Sequence, residues 1–213
     1  EIMARNPKWC QPYSTWCKYF ERWISAPDPQ ELLNAMIFFD FRCGFGADFL
    51  ADNLRDHLNQ MTRRQEIYLM HMAKDGMVLR APLSFFKTFI VQKDGEHKNT
   101  LDIKLQGITP FTNFARLMAL KHEIDETNTL ARLNVLADEG HISTGLLQAA
   151  TDAYELQMQM RLVHQLYQID KGLIPDNRIN PANLTDLEKQ MLKEAFTVIE
   201  RLQSLLKTIF PVV

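Results

Sequence analysis

Met191, Ala195, Val198, Leu202, Leu205 and Ile209 recur at alternating four- and three-residue steps. That spacing holds one apolar side chain per turn on a single line of a helix. It is the seam by which helices close an antiparallel bundle. Thr185 and Glu188 stand three apart just before it, the spacing of a capping box. A chain ending this way must supply other helices for the seam to pack against.

The upstream sequence supplies them. Trp16, Phe20, Trp23 and Ile24 share one face of a predicted helix over 13–25, stopped by Pro27 and Pro29. A second helical pattern runs from Ala47 to about Ala73. Thr109-Pro110 reads as an N-cap followed by proline at the first helical position, with Phe111, Phe114, Ala115, Met118 and His122 on one face. A helix over about 127–138 stops at Gly140, and a long one opened by Ser143 stops at Gly172. Two segments read as β. Residues 36–42 form an apolar run expected to be a buried strand. The runs 86–92 and 100–105 flank Asp94-Gly95 and predict a hairpin. The expected fold is mainly α: an antiparallel helical bundle with a short β element, a strand near 36–42 and a hairpin near 86–105. The 213 residues suffice for one large or two small domains.

Composition narrows the function classes. Hydrophobic residues make up 46%, enough for a real core. A net charge of -2 gives no footprint for nucleic acid or an anionic membrane. No apolar run approaches the roughly 20 residues that span a bilayer. Cys10, Cys17 and Cys43 form no C-x-x-C pair, and suit reduced thiols in the cytoplasm. The sequence contains no H-E-x-x-H, no G-x-S-x-G and no P-loop. The chain opens on Glu1, and is expected to be a fragment of something longer.

Several polar residues carry two readings each. Asp40 ends the apolar run 36–42 and is either a strand-end acid paired with Arg42 or a functional carboxylate. Lys98 and Lys104 are either the solvated face of the hairpin or a basic rim for phosphates. Gln157, Arg161, His164 and Gln168 follow one another along a helix face that carries no lysine or glutamate. That stripe is either the wet side of the helix or the wall of a cleft. Asp176, Asn177, Arg178 and Asn180 lie in "IPDNRINP" as turn formers, and Arg178 is the one turn chemistry explains least.

The segments "IMARNPKWCQPYSTWCKYFERWI", "IFFDFR", "EHKNTLDIKLQGITPFTNFARL", "NTLARLNVLADEGHIS" and "LIPDNRINPANLTDLEKQMLKEAF" together resemble a family. It is that of the bacterial signalling nucleotidyltransferases that follow cyclic-nucleotide-binding and CBS-pair modules. These are relatives of PII uridylyltransferase and of glutamine-synthetase adenylyltransferase. The resemblance implies that 1–45 is the tail of a nucleotidyltransferase domain and 46–213 a helical substrate-binding domain. It implies a parent enzyme that moves a nucleotidyl group from an NTP to an unknown acceptor under control of upstream modules; a protein acceptor and a homodimer are both left open. Such enzymes use a Gly-Ser turn, an Asp-x-Asp pair and a third acid to hold Mg²⁺. Asp40 matches the third acid, as catalytic residue and metal ligand. Arg42, Lys98, Lys104, Arg161, His164, Asn177 and Arg178 become candidate substrate contacts. The sequence has neither Gly-Ser nor Asp-x-Asp, so the chain by itself is expected to be inactive. The alternative is a non-enzymatic regulatory or dimerisation module.

Overall fold

The computed structural model describes residues 6–25, 35 and 37–211. Helix α1 (Tyr13–Ser25) buries Phe20, Trp23 and Ile24, the face marked by the sequence. Helices α2 (Asp48–Arg63) and α3 (Glu66–Gly76) occupy the span expected to hold one helix. The break falls at Gln65, whose φ of -127° and ψ of 63° leave the helical region. Just before it the Thr62 hydroxyl donates to the carbonyls of Leu58 and Asn59, competing for the groups that would carry the helix on. No glycine or proline announces this kink. It lets both Leu58 and Tyr68 reach the core.

Helix α4 (Thr109–His122) is the centre of the bundle and is buried through Phe111, Phe114, Leu117 and Met118. It packs against α3, against α5 (Thr129–Asp138) and against α7 (Asp186–Ile209). Asn128 caps α5 through bonds to the amides of Leu130 and Ala131. Ser143 caps the 27-residue α6 (Thr144–Asp170). The Thr185–Glu188 capping box opens α7 as expected.

Helices α6 and α7 run antiparallel. Their shared grooves put Val163 and Tyr167 beside Leu184 and Glu188, and Ala149 and Asp152 beside Thr197 and Arg201. The buried face of α7 is wider than the seam read from sequence: Leu192, Phe196, Ile199 and Leu206 join it, while Met191 is 42% exposed. A bundle interior surrounds a helix over more than one line of contact.

The structure confirms a mainly α fold with a short β element but relocates the β structure. The expected strand at 36–42 is not one. Ile37 and Phe38 are helical, and the amide of Phe39 donates to the carbonyl of Ala35 at 2.9 Å. A strand needs a neighbour to take its backbone groups, and among the described residues no strand lies beside this segment. The apolar signal was a burial signal: Phe39 is 1% exposed.

The expected hairpin at 86–105 also resolves differently. Gln92 and Thr100 close a loop, with Gln92 N–H donating to Thr100 O and Asn99 N–H donating to Gln92 O. The strand beyond pairs elsewhere: β1 (Leu101–Asp102) runs antiparallel to β2 (Arg178–Ile179). Asp102 then caps a π-helical turn, Ile103–Ile108, that leads directly into α4. Thr109 is therefore inside a continuous helix rather than at its N-cap. Its amide and hydroxyl both donate to Lys104 O. The change from π to α spacing falls next to Pro110, which has no N–H to donate.

Candidate functional site

The polar stripe of α6 faces the β2 segment. Arg161 Nε donates to Asn177 Oδ1 at 2.7 Å, and Gln165 Nε2 reaches the carbonyl of Asp176 and Asn177 Oδ1. His164 Nε2 and Gln168 Nε2 both lie 3.0 Å from Asp176 Oδ1, and Gln168 Oε1 accepts the Asp176 amide. Asp176 Oδ1 also accepts the Arg178 amide at 2.9 Å, a local turn bond. Partial burial alone would raise the Asp176 carboxyl. The Arg178 amide, His164 and Gln168 outweigh that and hold it below its ordinary value. Every polar member of the stripe beyond Gln157 is thus spent on fixing residues 176–178. The absence of lysine and glutamate from this face has its reason there: the partners are short loop groups, not water.

Fixing that loop creates a cavity of about 520 Å³ between α6, β2 and the start of α7. Leu156, Met160, Val163, Ile179, Leu184 and Met191 form apolar walls. His164, Tyr167, Arg178, Asn180, Asn183 and Glu188 place polar groups around them. Arg178 reaches toward Asp102 at 3.6 Å and Gln92 Oε1 at 3.5 Å, which line a neighbouring cavity with it, so it stands between the two cavities. Arg161 and Asn177 are not among the lining residues; they hold the wall from behind.

Asp40 lies in a different place. Its Oδ2 accepts from Arg116 Nε at 2.9 Å and its Oδ1 from Arg132 Nη2 at 2.6 Å. Burial would raise this carboxyl, but the bonds and charges of Arg116 and Arg132 prevail and keep it below the usual carboxylate range. Its partner is not Arg42, which is exposed and lines a polar pocket of about 390 Å³ with Arg55, Asp52, Asp56 and Asp125. Arg55 donates to the carbonyls of Phe39 and Phe41 and stacks its guanidinium 4.2 Å from the Phe41 ring. Three arginines from α2, α4 and α5 thereby clamp residues 39–41 to the bundle. A magnesium ion does not fit Asp40 as it stands, because both oxygens already accept from guanidinium groups. Among the described residues no group of three acids, histidines or cysteines is placed to hold a metal. Lys98 and Lys104 are exposed and line none of these cavities.

The sequence reading passed over Arg116 and Arg132. Both interrupt apolar helix patterns, and Arg132 has only 3% of its side chain exposed. A buried arginine is rare without a carboxylate partner, and that was the available signal.

Residues 66–210 match the family described as "Putative nucleotidyltransferase substrate binding domain", and residues 1–30 match one described as a "Putative nucleotidyltransferase". No curated protein and no solved structure matches the chain.

Proposed function

The chain belongs to the "Putative nucleotidyltransferase substrate binding domain" family, and from that premise we propose that it is the substrate-binding portion of a signal-transduction nucleotidyltransferase of the PII-uridylyltransferase-like kind. The nucleotide is received in the cavity between α6, β2 and α7. The observation that carries this reading is the cavity itself. It lies inside the matched span, with apolar walls suited to a base and Arg178 at its edge, a group suited to phosphate oxygens. His164, Tyr167 and Asn180 add groups able to orient a ribose or a base edge. In this reading residues 1–45 are the tail of the catalytic half and 46–213 the binding half. Magnesium, the acceptor and upstream regulatory modules belong to the intact cytoplasmic protein.

Calorimetric titration of the chain with ATP, UTP, GTP and CTP tests the proposal. At least one should bind, and Arg178→Ala should weaken it about tenfold, or ~1.4 kcal/mol, with the circular dichroism spectrum unchanged. A chain that binds none of the four, or an Arg178→Ala variant that binds as tightly as the parent, overturns it.

A further inference from the structure

Helix α6 is inverted along its outer half. Its buried residues, Leu146, Ala150, Ala153 and Gln157, all lie in the first half. Beyond them the inward face is polar and bonded to residues 176–178. The outward face carries Met158, Leu162, Leu166, Ile169 and Leu173, exposed by 39, 56, 54, 58 and 57%. Steps of four, four and three residues keep Met158, Leu162, Leu166 and Ile169 within a narrow arc, and Leu173 follows just beyond the helix end. Leu173 lies just past a Schellman turn that ends the helix. Gly172 has a φ of +68°, Leu173 N–H donates to Gln168 O, and Gly172 N–H donates to Ile169 O. The helical part of the stripe, from Met158 to Ile169, is roughly 17 Å long and lies on the side of the helix turned away from the core.

We infer that this stripe is the contact face of a homodimer, in which α6 of one copy lies antiparallel against α6 of a second. Three observations choose this occupant. First, Arg161 is the single lysine, arginine, aspartate or glutamate from Leu156 to Ile169, and it is turned back onto Asn177. An uncharged apolar line is complementary to itself under a two-fold axis and needs no opposing charge. Secondly, a helix lying on a lipid surface keeps lysines or arginines along its flanks, and this one does not. Thirdly, the stripe alone exposes on the order of 500 Å² per copy. Ile174, 90% exposed beside the stripe's end, extends that area toward the ~800 Å² per partner of a stable interface. Leu166 stands at the middle of the stripe, so antiparallel pairing sets it beside the two-fold axis and against its own counterpart.

Sedimentation of the chain tests the inference. The parent chain should sediment as a dimer at tens of micromolar. Leu166→Glu and Leu166→Lys should each halve the mass while leaving helicity unchanged, since the site is solvent-facing in one copy. Mixing the two variants should restore the dimer, which only a contact of residue 166 with itself would do. Leu187→Glu, at an exposed position on α7, should leave the dimer intact. A monomeric parent chain, a dimer that survives both substitutions at 166, or a mixture that fails to pair overturns it.

Discussion

Asp40 is the residue on which structure and chemistry meet most directly. Removing its charge leaves Arg132, nearly sealed from solvent, beside a neutral amide. Breaking a buried pair from one side costs about 3 kcal/mol. Asp40→Asn should therefore lower the melting temperature by roughly 6–12 °C, read by calorimetry. The pH dependence has a definite direction. The folded carboxyl titrates below its unfolded value of about 3.9, so its contribution is complete above that value. It is lost as pH falls through the lowered folded one. The parent chain should lose stability over that acid window more steeply than Asp40→Asn does. A catalytic role shows differently: in the intact enzyme the variant would lose rate with its melting temperature preserved. Asp40 itself was legible in the sequence as an acid out of place in an apolar run. Its partners were not, because they lie 76 and 92 residues away, a separation no local pattern encodes.

Among the elements, the π-helical turn before α4 packs tightly against the middle of α6. A Cβ on Gly107 would collide with Gln157 Oε1 and stand 3.1 Å from Gln157 Cδ and 3.2 Å from Ile103 Cδ1. Gln157 is fully buried, and its amide nitrogen and oxygen have no hydrogen-bond partner among the described residues. Gly107→Ala should destabilise by about 1–3 kcal/mol. In a Gln157→Ala background most of that cost should vanish, a coupling that a double-mutant cycle by urea denaturation measures. Gln157→Met, which removes the stranded amide at similar volume, should raise stability by about 1 kcal/mol. Helices were readable wherever an apolar period met a cap or a stop: Ser143 and Thr185 open two of them, and the one read to a stop at Gly140 proves to be capped by Asn128. The β segments were misplaced because pairing partners are chosen at a distance. Leu101 and Ile179 find each other across the bundle, although residues 86–92 are nearer in sequence.

For the molecule as a whole, α4 supplies the hub, and two peripheral regions are left to do specific things. In the reading proposed above, the α6–β2–α7 cavity receives the nucleotide and the outer half of α6 pairs with another copy. If the copies pair, thermal stability becomes a property of concentration. The melting temperature of the parent chain should climb as the protein is concentrated, while that of Leu166→Glu should stay constant. The chain alone should transfer no nucleotide to any acceptor when incubated with labelled NTPs and Mg²⁺, since Gly-Ser and Asp-x-Asp are both missing. Turnover abolished by Asp40→Asn would show the opposite.

The two-residue ladder of β1 and β2 makes the chain return to where it started. Leu101 and Ile179 are neighbours, and one further bond joins Ile103 N–H to Asn177 O at 3.0 Å. Everything between, including α4, α5 and α6, is a closed circuit whose entrance and exit touch. Opening it requires the hub helix and the long helix to part together, so the Ile103 amide should exchange its hydrogen only through the unfolding of that entire circuit. Its exchange rate in deuterated solvent then becomes a gauge of global stability, and a circuit with adjoining ends is the part of this chain best suited to being lifted into another host or rejoined in permuted order.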